Sequence, residues 1–196
     1  FTIKKGDFIG IYGNSGSGKT TLLDLLITLL NPDDGVVTIN QENVNNFATK
    51  NKFRSSIAYI SQNQFILDDT IKQNIIFRSK KIFDEKKFNY AIEKSNLKDL
   101  INSLEKKENT LMGENGGYFS GGQIQRVIIA RSIYEDSQVL IFDEATNALD
   151  AETENNILKD LKNNFKDKTI IIVTHNLNLK RYLNKVFEIK NGEVNY

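Results

Sequence analysis

The feature that most constrains this chain is the glycine-rich stretch GNSGSGKT at residues 13–20, which matches the pattern G-x-x-x-x-G-K-[ST]. It follows the apolar run FIGIY and precedes a helical pattern, the context in which such a stretch binds phosphate. The alternative is a Gly/Ser-rich turn that only caps a helix. Glycines let the backbone curl so that successive N–H groups point at an anion. We therefore predict a nucleotide phosphate site formed by Gly13, Asn14, Ser15, Gly16, Ser17, Gly18, Lys19, Thr20 and Thr21.

Short β-branched runs alternate with helical patterns along most of the chain. The runs QVLIFD and TIIIVT are apolar throughout, as expected of strands buried on both faces of a sheet. This alternation predicts an α/β domain with a mainly parallel central sheet. The predicted strands are FIGIY, GVVTIN, SIAYIS, QVLIFD, TIIIVT and KVFEIK, and residues 19–30 are predicted to form a helix.

The middle of the chain has a different pattern. From residue 70 to about residue 108 it is polar and helical, without strand signals. We therefore predict a helical sub-domain over residues 70–134, inserted between two parts of a core at residues 1–69 and 135–196. The chain opens on FTIKKGDF, with a strand already under way and no initiator Met, so we expect a fragment of a longer protein.

Composition excludes several classes of protein. The formal net charge of +1 gives no electrostatic case for nucleic-acid binding, and the lack of cysteine rules out disulfides and thiolate zinc sites. The most apolar run, LLDLLITLL at residues 22–30, is too short to span a membrane and contains Asp24. We therefore expect neither a nucleic-acid partner nor direct insertion of this segment into a bilayer.

Two adjacent acids follow the predicted strand QVLIFD. Asp143 at the strand end is predicted to hold Mg²⁺, with the hydroxyl of Thr20 as a second ligand and Lys19 on the terminal phosphates. Glu144 faces another direction, since neighbouring strand residues alternate, and can polarise the water that attacks a γ-phosphate. The alternative is an acid pair that answers a helix dipole. The phosphate loop in the same predicted sheet favours the metal and water roles.

The single histidine, His175, follows the predicted strand TIIIVT directly. Ligands of α/β sheets bind at the carboxyl ends of the strands. His175 can there hydrogen-bond the γ-phosphate or position Glu144 and the attacking water. The alternative is a helix-capping or surface histidine, and its place after a buried strand favours the first interpretation.

Five motifs occur in one order: GNSGSGKT, ISQ at residues 60–62, FSGGQ at residues 119–123, IFDEATNALD, and VTH at residues 173–175. Together they resemble the ATPase domain of ABC transporters over nearly the whole chain, and FSGGQ is the most specific of them. The resemblance implies a P-loop NTPase fold with a small antiparallel β part near the N-terminus, two such domains paired head to tail, and ATP with Mg²⁺ held between them. It also implies that the γ-phosphate of the partner's nucleotide is bound by Ser120, Gly121, Gly122 and Gln123. The alternative for SGGQ is a helix cap, and both can hold at one helix start.

The resemblance assigns further roles. Gln62 is similar to the glutamine that touches Mg²⁺ and the attacking water and senses the membrane domains, and Asp150 to the aspartate along the dimer seam. Asn147 stands where the family usually has serine. The implied catalytic set is Lys19, Gln62, Glu144 and His175, and the implied metal set is Thr20, Gln62 and Asp143.

Within the ABC transporter family, two stretches of this sequence resemble the exporter sub-type. LDDTIKQNIIF at residues 67–77 is similar to the exporter segment after the glutamine. TLMGENGGYFSGGQ at residues 110–123 is similar to the exporter loop that contacts the transmembrane domains, although Asn115 replaces a common arginine. The family's adenine-stacking aromatic lies about thirty positions before the loop lysine, outside these residues. Since stacking of a base is worth about 1–3 kcal/mol, we expect weak nucleotide binding.

The function implied is ATP hydrolysis that powers export of a lipid, lipid-linked sugar, peptide or drug at the cytoplasmic face of the cell membrane. The implied partners are a second ATPase domain and transmembrane domains on the same polypeptide. The alternatives are the ATPase subunit of an importer, a non-transport ABC ATPase acting on nucleic acid or ribosomes, and a nucleotide-binding regulatory module without turnover. The GEN-G stretch argues against the first, the near-neutral charge against the second, and the presence of Glu144 and His175 against the third.

Overall fold

The computed structural model describes residues 1–44, 46–61, 65–77, 82–146, 149–175 and 177–195. In chain order the strands are β1 (Phe8–Tyr12), β2 (Thr38–Ile39), β3 (Glu42–Asn43), β4 (Ile57–Ser61), β5 (Val139–Asp143), β6 (Thr169–Val173), β7 (Lys185–Lys190) and β8 (Glu193–Asn195). The helices are α1 (Lys19–Leu26), α2 (Phe47–Arg54), α3 (Ile71–Ile76), α4 (Glu85–Lys94), α5 (Lys98–Ser103), α6 (Gly121–Tyr134) and α7 (Ala151–Asn164). Short 3-10 turns lie at Lys107–Asn109, Glu114–Gly116 and Leu177–Tyr182.

The central sheet has the strand order β4-β5-β6-β1-β7-β8. All neighbouring strands are parallel except β7 and β8, which form an antiparallel pair at one edge. Strands β2 and β3 form a separate antiparallel pair. The predicted α/β fold, with a mainly parallel sheet and a small antiparallel part near the N-terminus, is confirmed.

The sheet is covered on both faces, as its apolar strands require. Successive side chains of a strand point to opposite faces. In β6, Ile170 and Ile172 join one hydrophobic cluster, whereas Ile171 and Val173 join a second cluster with Leu23 of α1. Every residue of β1 and of β6 is buried. Strands buried on both faces are typical of α/β proteins with helices on each side of the sheet.

Between β4 and β5 the described chain is helical, and its only β pairing there is the isolated bridge between Thr70 and Leu111. A polar network ties this segment to α6. The Arg131 guanidinium donates to the carbonyl oxygen of Asn74 at 2.7 Å and to that of Phe65 at 3.1 Å. The fully buried Asn74 side chain accepts from the N–H of Leu67 at 2.8 Å and donates to the Leu67 carbonyl at 3.0 Å. These bonds hold the segment that follows β4 against α6, the helix that begins within FSGGQ.

Three details differ from the prediction. Helix α1 ends at Leu26 rather than residue 30, because Thr28 adopts a φ of 62° and the N–H groups of Leu29 and Leu30 both turn back to the Asp24 carbonyl. The run GVVTIN pairs only at Thr38–Ile39. Before Phe8 the described chain has no strand; a turn is closed there by a bond from the Asp7 N–H to the Lys4 carbonyl at 3.1 Å.

No helix within the described ranges combines the length and the apolar character that crossing a bilayer requires.

Candidate functional site

The strand register brings the predicted motifs to one edge of the sheet. Ser61 of β4 lies opposite Asp143 of β5, Asp143 opposite Val173 of β6, and Val173 opposite Ile11 of β1. These strands are parallel, so the chain leaves each of them at the same edge. The phosphate loop, the acid pair and the histidine therefore start side by side, at the carboxyl edge where ligands of such sheets bind.

The phosphate loop curls as its glycines permit. Gly16 and Gly18 have φ values of 77° and 106°, which side chains rarely adopt. At Gly13 an added Cβ would lie 2.4 Å from the Ser17 Oγ and 2.7 Å from the Ile189 carbonyl oxygen. The loop is closed by a bond from the Ser17 N–H to the Asn14 carbonyl at 3.1 Å. Glycine is thus needed at three positions, twice for backbone conformation and once for close approach.

Helix α1 begins immediately after this loop with an open N-terminus. Its N-cap residue is Gly18, no side chain caps its N–H groups, and its first turn carries no acid. Unsatisfied N–H groups and the helix dipole both favour a bound anion. The buried Ser17 hydroxyl also has no hydrogen-bond partner within the described part of the chain. The loop therefore has the donors and the polarity that phosphate oxygens need.

Lys19 lies folded over the loop. Its ammonium donates to the carbonyl oxygens of Gly13 at 2.9 Å and Asn14 at 3.0 Å. Both acceptors belong to the loop, so the positive charge sits over the same curl of backbone that presents the N–H groups. The exposed loop residues are Asn14, Ser15, Gly16, Thr20 and Thr21.

The two acids occupy different environments. The carboxylate of Asp143 accepts a hydrogen bond from the hydroxyl of Tyr59 on the neighbouring strand. Burial, followed by that hydrogen bond, raises the pKa of the Tyr59 phenol. Glu144 has a φ of 51°, and its N–H donates to the Val173 carbonyl at 3.0 Å. A left-handed residue other than glycine costs about 1–3 kcal/mol, and such strain clusters at functional sites.

The histidine lies where the sequence predicted, and its side chain is exposed. The preceding residue, Thr174, is fully buried, and its N–H donates to the Ile11 carbonyl at 3.2 Å. This bond fixes the backbone of His175 beside the start of the phosphate loop. Gln62, for which the resemblance implies a metal and water contact, and Asn147, which replaces the usual serine, lie outside the described ranges.

The FSGGQ motif forms the start of α6 and is capped from within. The Ser120 N–H donates to the Gln123 side chain at 2.9 Å, and the Gln123 N–H donates to the Ser120 hydroxyl at 3.3 Å. This reciprocal pair is a capping box. Gly122 is buried, and an added Cβ there would lie 2.6 Å from the Thr153 Cγ2 of α7. Gly121 is exposed and lies near Leu149, where the corresponding distance is 3.2 Å.

Asp150 is the N-cap of α7. Its carboxylate accepts from the N–H of Glu152 at 3.1 Å, from the N–H of Thr153 at 2.9 Å and from the Thr153 hydroxyl at 2.6 Å. The hydrogen bonds from Thr153 lower the pKa of Asp150. Thr153 thus fixes Asp150 and also abuts Gly122, so the starts of α6 and α7 lie side by side.

Sequence reasoning missed Thr153 and Tyr59. Aspartate is a favoured N-cap residue whose side chain accepts from an N–H two or three residues on, and this signal at Asp150 could have identified Thr153. The contact of Tyr59 with Asp143 depends on the pairing of β4 with β5, for which the sequence carried no signal.

The chemistry of the site suits MgATP. Thr20 and Asp143 supply the hard oxygen donors that magnesium prefers, and the loop supplies donors for phosphate. The described residues contain no cluster of three or more His, Asp or Glu side chains able to hold a metal by themselves. Mg²⁺ in general takes few protein ligands and completes its coordination with phosphate oxygens and water.

Comparisons with known proteins agree with this geometry. A sequence model described as ABC transporter matches residues 1–147. The ATP-dependent lipid A-core flippase of Vibrio parahaemolyticus is 34% identical over 99% of this chain and 33% of its own length. The leukotoxin translocation ATP-binding protein LktB of Mannheimia glucosida is 36% identical over 98% of this chain and 27% of its own. The chain thus spans about a third of these relatives or less.

Among solved structures, a bacterial Atm1-family ABC exporter with ATP bound superposes with a TM-score of 0.86 at 29% identity. The match covers 100% of this chain and 34% of the exporter chain. The predicted ATPase-domain fold and the exporter sub-type are confirmed. This chain therefore belongs to the ABC transporter family, as an ATP-binding ATPase domain of the exporter type.

Proposed function

We propose that this chain powers an ABC exporter by binding MgATP between two head-to-tail copies and hydrolysing it. The observation that carries the proposal is the register of Ile11, Val173, Asp143 and Ser61 across four parallel strands. It gathers the open helix start, the acid pair and the histidine at one edge. Relatives of similar identity are named for a lipid and for leukotoxin. We therefore assign the cargo broadly, as a lipid, lipid-linked sugar, peptide or drug.

The loop and the start of α1 are proposed to bind the phosphates. The N–H groups of residues 16–21 surround the phosphates, and the Lys19 ammonium exchanges its loop carbonyls for the terminal phosphate oxygens. Thr20, Gln62 and Asp143 are the proposed magnesium ligands. When bound, Mg²⁺ neutralises charge on the phosphates, which is most of what phosphoryl transfer requires.

Hydrolysis requires a positioned water. Glu144 is proposed to polarise it, since the turn after β5 holds the backbone of this residue at the carboxyl edge of the sheet, bonded to Val173 of β6. His175 is proposed to hold the γ-phosphate, and Gln62 to contact the water and report on the membrane domains.

The capped start of α6 is proposed to act on the partner's nucleotide. Ser120 and Gln123 satisfy each other within the isolated chain. Approach of the partner's γ-phosphate would replace those bonds with bonds to the anion. Asp150 is proposed to lie along the seam between the two copies. Its position beside the start of α6 supports this arrangement.

The chain is proposed to divide into a core at residues 1–69 and 135–196 and a helical sub-domain at residues 70–134. The bonds from Arg131 to Asn74 and Phe65 support a mechanical link between the segment after β4 and α6. Transmembrane domains on the same polypeptide are the proposed receivers of this motion, at the cytoplasmic face of the cell membrane.

Light scattering after size exclusion tests the proposal with Glu144→Gln. This variant should lose turnover by at least about 100-fold, the usual contribution of a general base, while it retains ATP binding. It should elute as a monomer without ATP and as a dimer with ATP and Mg²⁺. The matched control is the double variant Lys19→Ala/Glu144→Gln, which should stay monomeric. A variant that hydrolyses ATP at the wild-type rate would contradict the role of Glu144.

A further inference from the structure

We infer that Tyr59 is a positioning residue that orients the Asp143 carboxylate toward magnesium, a role that rests on the proposed function. Tyr59 lies on β4, and its hydroxyl donates to the Asp143 Oδ2 on β5. No motif of the family resemblance includes Tyr59, and it is 42% exposed. An exposed tyrosine ordinarily needs no functional explanation, but the hydroxyl of Tyr59 contacts a proposed magnesium ligand.

The strand register explains how the ring reaches the acid. Tyr59 pairs with Ile141, and Ser61 pairs with Asp143. Residues two apart on a strand share a face. Tyr59 and Asp143 are therefore diagonal neighbours on one face, a separation that a long aromatic side chain can span.

That face is the one covered by α1. Ile57 and Ile141 share it with Tyr59 and Asp143, and both isoleucines belong to the hydrophobic cluster that contains Leu23 of α1. The negative charge of Asp24, also on α1, contributes to the raised pKa of Tyr59 after burial and Asp143. Asp24 lies four residues after Thr20 and thus on the same side of the helix. The Tyr59 hydroxyl therefore lies on the face that α1 covers and is bonded to one of the proposed magnesium ligands, Asp143.

This arrangement gives Tyr59 a definite task. Asp143 is only partly buried at the end of β5, so packing alone does not fix the orientation of its carboxylate. A hydrogen bond to Oδ2 fixes the rotation of the carboxylate and directs its other oxygen. The donor is neutral, so the carboxylate keeps the charge that attracts the cation. Partners of this kind orient metal ligands and tune their affinity.

Tyr59→Phe tests the role, because it removes the hydroxyl and keeps the ring. We would measure binding of a non-hydrolysable ATP analogue with EDTA, and then Mn²⁺ binding to the analogue complex by electron paramagnetic resonance. The affinity for Mn²⁺ should fall about 3- to 10-fold, below the usual range for outer partners because water can reach this exposed site. The affinity for the metal-free analogue should change less than about 2-fold, because Tyr59 acts through a metal ligand. Tyr90→Phe, which removes an exposed tyrosine hydroxyl on α4, is the matched control and should change neither.

A second arm separates positioning from packing. In an Asp143→Ala background, Tyr59→Phe should leave Mn²⁺ affinity unchanged, since the group that it orients is gone. Unchanged Mn²⁺ affinity in Tyr59→Phe alone would overturn the inference, and so would an equal loss of metal-free binding. Wild-type protein that binds no nucleotide in either condition would overturn the proposed function, and the role of Tyr59 with it.

Discussion

Helix α1 starts at Gly18 without a side-chain cap, whereas α6 starts at Ser120, whose hydroxyl and Gln123 partner close a capping box. Both starts lie within glycine-containing motifs, and both can present N–H groups to an anion. The difference is what satisfies those groups in the isolated chain. The start of α1 leaves its donors to a ligand, while the start of α6 supplies its own. A helix start that caps itself can stay folded before an anion on another molecule binds to it.

The glycines differ in the same way. Gly16 and Gly18 of the phosphate loop adopt positive φ values, so they are needed for backbone conformation. Gly122 of FSGGQ lies in a regular helix and is needed because α7 approaches it, with Thr153 in the space of a side chain. One motif therefore uses glycine to shape a loop, and the other to bring two helix starts together.

The largest effect should come from the open start. Lys19→Ala should weaken ATP binding about 10- to 150-fold, because a hydrogen bond to a charged group is worth about 1.5–3 kcal/mol. Isothermal titration calorimetry would measure it. Lys168→Ala is the control: Lys168 is ion-paired with Asp136 at 3.1 Å and precedes β6, at the opposite edge of the sheet. Equal losses in the two variants would show that the charge at Lys19 acts only through the net charge of the chain.

The packed glycine should come next. Gly122→Ala should lower the free energy of unfolding by about 1–3 kcal/mol, the usual cost of overpacking, since its Cβ would meet Thr153 at 2.6 Å. Gly121→Ala, at 3.2 Å from the movable end of Leu149, should cost less. Urea unfolding of both variants would compare them. If Gly121→Ala proved the more damaging, the close approach of α6 and α7 would not be the reason for glycine in this motif.

The capping box should have a smaller effect. Ser120→Ala should lower the free energy of unfolding by about 1 kcal/mol, the typical cost of losing an N-cap. Ser103→Ala removes a hydroxyl that bonds the Leu100 carbonyl at 2.7 Å at the end of α5 and serves as the control. Equal unfolding midpoints for wild type and Ser120→Ala would mean that α6 does not depend on its own cap, and the contrast with α1 would fail.

The smallest effect should be a pH dependence at the start of α7. Hydrogen bonds from Thr153 lower the folded-state pKa of Asp150 below its ordinary value of 3.8. The carboxylate therefore stabilises the folded state fully above that value, and this contribution is lost as pH falls through the lowered pKa. The difference in Tm between wild type and Asp150→Ala should persist from pH 7 down to pH 5 and shrink below pH 3.8. A difference that grows on acidification would contradict the assigned sign.

The sequence predicted the parts of the molecule that depend on local pattern. Buried strands were predicted at FIGIY, QVLIFD and TIIIVT, and the loop between β1 and α1 was predicted at GNSGSGKT. The predicted end of α1 was wrong, since the apolar run through residue 30 gives no sign that Thr28 adopts a positive φ. The Tyr59 contact and the packing of Gly122 were not predicted, because each depends on the relative placement of two elements. Local pattern thus identified the open start more completely than the capped one.

The start of α6 is proposed to complete a site on another copy, and mixing two inactive variants tests this role directly. One is Lys19→Ala, which damages the phosphate loop. The other is Gly121→Asp, which places an acid where the phosphate would bind yet suits the dipole of α6, so the helix should remain folded. In a head-to-tail pair of one copy each, one site has an intact loop and an intact FSGGQ.

Wild-type protein at the same concentration sets the reference rate of ATP hydrolysis. Each variant alone should be inactive, and their mixture should regain a substantial part of that rate. If the mixture stays as inactive as its components while wild type hydrolyses ATP, FSGGQ does not act in trans, and the contrast between the two helix starts has another cause.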